Sequence, residues 1–145
     1  MSEIVSIFTD GACRGNPGLG GWGALIIKNN EEYSLWGGER NTTNNKMEMT
    51  AAIKALEYFE QPTTLMITTD SNYVKDGIEK WISNWKKNDW KTSARKPVKN
   101  KELWVKLDYL NDFHDISWNW VKGHSGHREN EIADLLANKG IDELE

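Results

Sequence analysis

Cysteine is nearly missing from this sequence: Cys13 is the only one among 145 residues. That excludes an internal disulfide and a zinc site built on clustered thiolates, and it fits a reducing cytoplasm. Long apolar runs are missing too, so nothing reads as a membrane span. The N-terminus lacks the basic flank and apolar stretch of a signal peptide. No glycine loop is followed by Gly-Lys-Ser/Thr, which excludes a P-loop. Gly18-Leu19-Gly20-Gly21-Trp22-Gly23 has the G-x-G-x-x-G spacing, but it leads into a strand pattern rather than a helix, so the dinucleotide context is absent. His124 and His127 lie in a glycine-containing loop without cysteine or a helical frame, which by itself describes exposed residues rather than metal ligands. Repeats, low-complexity tracts and linkers are lacking.

What is present is the composition of a globular protein, 38% hydrophobic and 28% charged, in a length that suits one domain over residues 1–145. The net charge of -4 alone argues against a nucleic-acid partner. Its distribution argues otherwise. Lys80, Lys86, Lys87, Lys91, Arg95, Lys96, Lys99 and Lys101 lie close together, opposed up to Lys101 by Asp89 alone. Trp81, Trp85 and Trp90 fall in the same stretch. An acidic protein can carry a basic binding face, and tryptophans among lysines suit stacking on sugars or bases while the lysines meet phosphates. The bland alternative is a solvated loop with its tryptophans folded beneath.

Taken in order, residues 3–10 read as a first strand, rich in Ile, Val and Phe and ending at a lone acid, Asp10. A loop is expected over 11–21, then strands over Trp22–Ile27 and Glu32–Trp36. Their short connections imply antiparallel pairing. A helix follows the polar run 41–45, with Thr43 or Asn44 as N-cap and Met49, Ala52, Ile53 and Leu56 as its buried face. Leu65–Asp70 is a fourth strand, and Ser71 a cap for the helix after it. Residues 81–100 predict a short helix and a projecting loop broken by Pro97. Residues 101–112 form a helix with Leu103, Leu107 and Leu110 inward. Ile116–Val121 is a fifth strand, and a last helix runs from about Glu129 to Lys139, stopped by Gly140. Three strands followed by alternating helices and strands predict an α/β fold with a mixed sheet.

Two strands end alike. Ile7-Phe8-Thr9-Asp10-Gly11 and Ile67-Thr68-Thr69-Asp70-Ser71 share an apolar run, Thr-Asp and a small residue. If they are parallel neighbours, Asp10 and Asp70 emerge at the carboxyl edge where open α/β sheets place ligands. Glu48 on the first helix and Asp134 on the last are candidate companions, each flanked by apolar residues. Clustered carboxylates repel and raise one another's pKa; divalent cations relieve this, and all-oxygen ligands favour Mg²⁺ or Mn²⁺. Two such ions about 3.5–4 Å apart would support in-line displacement at phosphorus. Each acid read singly is a cap or surface residue, and spacing alone does not make the four converge.

Several motifs occur in order: Phe8-Thr9-Asp10-Gly11, Gly15-Asn16-Pro17-Gly18, Thr43-Asn44-Asn45-Lys46-Met47-Glu48, Thr69-Asp70-Ser71, Trp85-Lys86-Lys87, Lys96-Pro97-Val98-Lys99-Asn100 and Trp120-Val121-Lys122-Gly123-His124, with Asp134 after them. On these the chain resembles ribonuclease H type 1 from residue 4 to about residue 139. The resemblance implies a five-stranded mixed sheet flanked by helices on both faces. It implies endonucleolytic hydrolysis of the RNA strand of an RNA–DNA hybrid, leaving 5′-phosphate and 3′-hydroxyl ends, with two Mg²⁺ (or Mn²⁺) ions per site when substrate is bound. Asp10, Glu48, Asp70 and Asp134 match the family's metal-binding carboxylates, and His124 its loop histidine, which assists proton transfer or product release. By the same similarity Cys13, Arg14, Gly15 and Asn16, with Asn44 and Glu48, read the RNA 2′-hydroxyls. Asn16 and Asn45 face the minor groove, and Tyr73, Trp81 and Trp85 pack on DNA sugars. Thr43 and Asn100 form a DNA-phosphate pocket. Residues 81–101, with Lys86, Lys87, Trp90, Lys96 and Lys99, match the basic protrusion that grips substrate.

The chain departs from the pattern at Asn41, where many relatives carry Arg in the phosphate pocket; Arg40 stands beside it. It also lacks the longer tail of some members, and no accessory hybrid-binding domain precedes residue 4, so the grip is expected from the catalytic domain. The expectation is a cytoplasmic monomer without an obligate protein partner. The alternatives are a non-catalytic hybrid-binding module, a DNA-directed nuclease or integrase on the same fold, and an α/β domain with a protein partner.

Overall fold

The computed structural model describes residues 4–122 and 127–145. Its centre is one mixed sheet of five strands in the order β3-β2-β1-β4-β5. β1 spans Val5–Arg14, β2 Gly18–Lys28, β3 Glu31–Thr42, β4 Thr64–Thr69 and β5 Asp115–Trp120. β1, β2 and β3 form an antiparallel meander, while β4 pairs parallel to β1 and β5 parallel to β4. Val5, Ile7 and Thr9 alternate inward along β1, the period-2 signature of a strand with one face on the core.

The expected loop over 11–21 is instead the tip of a hairpin. β1 continues through Arg14 and pairs with β2 as far as Arg14↔Leu19, leaving only residues 15–17 to turn. Glycines in a strand pattern look like a break, but here they admit helices against the sheet. Asp10 is therefore in mid-strand rather than at a strand end. The parallel pairing with β4 does stop at Phe8↔Thr68. Beyond it β1 has an open flank, so Asp10 still lies at the carboxyl edge of the parallel pair.

Thr43 caps α1 (Asn44–Glu57), its hydroxyl accepting from the Lys46 N–H at 3.2 Å. Met49, Ala52, Ile53 and Leu56 are buried with Val5, Ile7, Leu65 and Ile67 in the core. Ser71 caps α2 (Asn72–Asp76), which passes through a π turn at Gly77–Trp81 into α3 (Ile82–Lys87). The segment 88–100 is pinned by a bridge between Lys91 and Pro97. α4 (Lys101–Phe113) packs on α1 and buries Trp104, Leu107 and Leu110.

α5 (Arg128–Asp142) packs on β1, β2 and β3. Gly140 does not stop this helix, which runs two residues further. A side chain there would run into the backbone of Gly37, and one at Gly38 into Gly140. The glycine serves a close helix–sheet approach, a need that local pattern cannot distinguish from a C-cap.

Candidate active site

Asp10, within β1, and Asp70, the residue after β4, follow the same parallel register. Phe8 pairs with Thr68, and two further residues along each chain bring the two acids level. Side chains alternate between faces along a strand, so Asp10 and Gly11 point to opposite sides of the sheet. Gly11 faces α1: a Cβ there would collide with the Glu48 nitrogen and the end of Met47. Its absence lets the first turns of α1 rest on the strand and carries Glu48 to the site. Ligand oxygens of Asp10, Glu48 and Asp70 lie within 4.8 Å of one another.

This arrangement is costly without a counter-charge. Glu48 is 7% exposed, and its buried Oε1 has no hydrogen-bond partner. Burial, followed by the charges of Asp10 and Asp70, raises its carboxyl well above the usual range. Asp10 is pushed up to about 7, first by burial and then by the charge of Asp70; Asp134 adds to the shift through a hydrogen bond and its charge. One oxygen of Asp10 accepts from the Gly11 N–H at 2.9 Å. Asp134 thus reaches Asp10 from α5 but is not one of the three tightly grouped acids. Its carbonyl and carboxylate accept from Asn138 Nδ2, at 3.0 and 3.4 Å. Asn138, one helical turn along, is a partner that sequence pattern did not single out. A buried, unpartnered carboxylate oxygen aimed among other acids suits a hard divalent cation. His124 lies outside the described residues.

The hairpin tip next to the acids is tied down on two sides. Asn16 Oδ1 accepts from the Asn44 N–H at 3.1 Å, joining the tip to the start of α1. The Arg14 guanidinium bonds Asp142 at 2.7 Å and Glu145 at 3.1 Å, at the end of α5. Cys13 Sγ donates to Gly15 O at 2.7 Å, and Gly15 takes the left-handed φ of 88° that the turn needs. Asn44 and Asn45 are exposed beside it.

The aromatic residues of 73–104 form one connected cluster. Tyr73, Trp81, Trp85, Trp90 and Trp104 lie ring to ring with centroids 5.1–6.3 Å apart. Trp104 is fully buried, and its Nε1 donates to the Tyr73 hydroxyl at 3.2 Å; Asn100 Nδ2 donates to the same oxygen at 3.1 Å. Trp104 is the member that sequence reasoning passed over; it stands one residue after Leu103 on the inward face of α4. The tryptophans fold under the loop, yet Trp81, Trp85 and Tyr73 remain half-buried and line an open groove of about 570 Å³ with Lys91 and Lys99. Lys86, Lys87, Lys91, Lys96 and Lys99 are all exposed; the Lys86 ammonium lies 3.2 Å from Asp108 and that of Lys91 4.0 Å from Asp89. Thr43 and Asn100 each have local duties, as a cap and as a donor to Tyr73. A second groove of about 580 Å³ runs past Asn100 between Lys46 and Lys101.

With this geometry in view, the kinship of the chain is informative. A family model described as RNase H matches residues 2–142. The ribonuclease H of Dechloromonas aromatica is 60% identical over 142 residues, 98% of this chain and 96% of that one. That of Alcanivorax borkumensis is 59% identical over 144 residues, 99% and 95% of the two chains. Among solved structures, LC9-RNase H1, described as a type 1 RNase H with the type 2 active-site motif, superposes with a TM-score of 0.86 at 29% identity. That match covers 99% of this chain and 74% of the other.

Proposed function

The chain belongs to the ribonuclease H family, and from that premise we propose that it is an endoribonuclease cutting the RNA strand of RNA–DNA hybrids at the Asp10–Glu48–Asp70 cluster. The observation that carries this reading is the cluster itself: three acids within 4.8 Å, one with a buried oxygen lacking any partner. Such a site fits cations and little else. Asp10, Glu48 and Asp70 would hold them, with Asp134 as the fourth carboxylate and Mg²⁺ the ion. When bound, the cations polarise the scissile phosphate and lower the pKa of the attacking water.

The remaining work falls to the chain. Burial and mutual repulsion disfavour the charged forms of Asp10 and Glu48, a cost that bound cations would offset. The pinned tip Cys13–Asn16 and the exposed Asn44 and Asn45 offer donors and acceptors to 2′-hydroxyls, which distinguish the sugar of RNA from that of DNA whatever the base. The Tyr73–Trp81–Trp85 groove offers apolar faces to sugars of the other strand, and the exposed lysines meet its phosphates, contacts that carry no sequence preference. His124 assists proton transfer or product release. We extend the reading to a monomer working in the cytoplasm, a compartment that suits a chain with one cysteine.

The test is incubation of labelled RNA–DNA hybrid, RNA duplex and DNA duplex with Mg²⁺, with and without a chelator. The expected result is cleavage of the hybrid's RNA strand alone, giving 5′-phosphate ends and abolished by chelation. Cleavage of DNA duplex to the same extent would favour a DNA-directed nuclease, and binding without cleavage a hybrid-binding module.

A further inference from the structure

Gly23 sits in the middle of β2, paired with Asp10 on one side and Trp36 on the other. Its backbone needs no special freedom; among the described glycines, Gly15 is the one with a left-handed φ. A glycine in mid-strand weakens the strand and points to a close approach by something else. Here the approach is by α5. A Cβ on Gly23 would lie 2.5 Å from Ala133 O, 2.6 Å from Leu136 Cβ and 2.7 Å from Ala137 N. These atoms bracket Asp134 on the helix. Residues directly opposite each other in an antiparallel pair point to the same face. The side of the sheet on which Asp10 projects is therefore the side on which the missing Cβ of Gly23 admits α5.

We infer that Gly23 is a positioning residue for the carboxylate site: by lacking a Cβ it sets the height of α5 above β2, and so the gap between Asp134 and Asp10. Gly11 does the matching job for Glu48 on the other face, so the two helices that bring acids to Asp10 both touch down at a glycine beside it. The inference rests on the reading that these acids hold divalent cations. A small hard ion such as Mg²⁺ demands near-ideal octahedral geometry, so a helix lifted by a fraction of an ångström loses a ligand while the fold survives. Other glycines seat the same helix elsewhere. A side chain at Gly21 would meet the carbonyl of Ala137 and Ile141 Cγ1, about one and two turns beyond Asp134. Gly21 is thus a control for the stability of the helix–sheet contact without the effect at Asp134.

The experiment compares Gly23→Ala with Gly21→Ala. Mg²⁺ and Mn²⁺ binding are measured by calorimetry on the free proteins, thermal unfolding by circular dichroism, and kcat and KM on hybrid across a Mg²⁺ titration. Gly23→Ala is expected to need about tenfold more cation for half-saturation and to lose about tenfold or more in kcat, with KM for hybrid within about twofold. Gly21→Ala is expected to lose stability with cation affinity within about twofold of the parent. Combining Gly23→Ala with Asp134→Asn should give no further loss of cation affinity beyond Asp134→Asn alone. Should Gly23→Ala show no cooperative unfolding transition, Leu136→Ile decides, because it keeps the carbon count of the side chain and moves one carbon onto Cβ, at the same contact from the helix side; a weaker cation affinity is expected there too. Parental affinity and kcat in the folded Gly23→Ala, or in Leu136→Ile if that variant decides, would overturn the inference, as would equal loss of affinity in Gly21→Ala. Failure of the parent protein to bind either cation would instead remove the cation reading beneath it.

Discussion

Asp10 concentrates the chemistry at the scale of single residues. Its carboxyl is crowded by Asp70 and Glu48 and screened from water, so replacing it by the neutral isostere removes a ligand and a repulsion together. Asp10→Asn is expected to lower hybrid cleavage by on the order of a thousandfold while binding of labelled hybrid changes by a few-fold at most, measured by polarisation. Undiminished cleavage would remove the cation mechanism. His124→Ala should slow turnover without abolishing it, read in single- and multiple-turnover assays. The Tyr73 hydroxyl has a different kind of duty, as acceptor for both Asn100 and the buried indole of Trp104. Tyr73→Phe leaves that indole N–H unsatisfied and should lower stability by roughly 1–3 kcal/mol in urea unfolding.

Among the elements, α3 and the segment after it bear the lysines that a nucleic-acid partner would meet, and those lysines are not equivalent. All three are exposed, but the Lys86 ammonium is engaged by Asp108, whereas among the described residues no ion pair engages Lys87 or Lys96. Neutralising Lys87 and Lys96 together should lower the salt dependence of hybrid binding by about two in log–log slope, and Lys86→Ala by clearly less than one. Equal effects would mean that Asp108 releases Lys86 to the substrate. Sequence pattern reached these elements unevenly. Apolar periodicity placed α1, β4 and α4 because each buries one face, and the twin Thr-Asp endings located Asp10 and Asp70 because parallel neighbours share a register. It failed at residues 11–21 and at Gly140, where glycine marks contact between elements far apart in sequence, with Ala137 or Gly37, rather than a local break. The partners of Asp134 and Tyr73 were beyond reach for the same reason: Asn138 sits at ordinary helical spacing, and Trp104 reveals itself only once α4 is laid against α3.

For the molecule as a whole, the acid cluster is a source of instability that bound cations would relieve. The Asp10 pKa rises from an ordinary 3.8 to about 7 on folding, so between these values the folded state holds more protons than the unfolded one. Stability of the cation-free protein must then fall as pH rises through that interval, by an upper limit of about 4 kcal/mol from this group, and level off above it. Glu48, also raised by burial, acts in the same direction. Calorimetric melting with chelator should show a Tm that declines from pH 4 to 7 beyond that of Asp10→Asn, and Mg²⁺ should raise Tm more at pH 8 than at pH 5. A larger Mg²⁺ effect at the acidic end would contradict the assignment of these acids as ligands.

The placement of β1 at the middle of the sheet has a consequence for synthesis. In chain order the meander β1–β2–β3, with Asp10 in it, precedes β4, which flanks β1 opposite β2, and α5, which packs above it. A nascent chain that ends before Arg128 can pair its hairpins and still hold no complete set of acids. On the proposed reading of Asp134 as the fourth ligand, the set of acids is therefore completed only when α5 docks on the sheet.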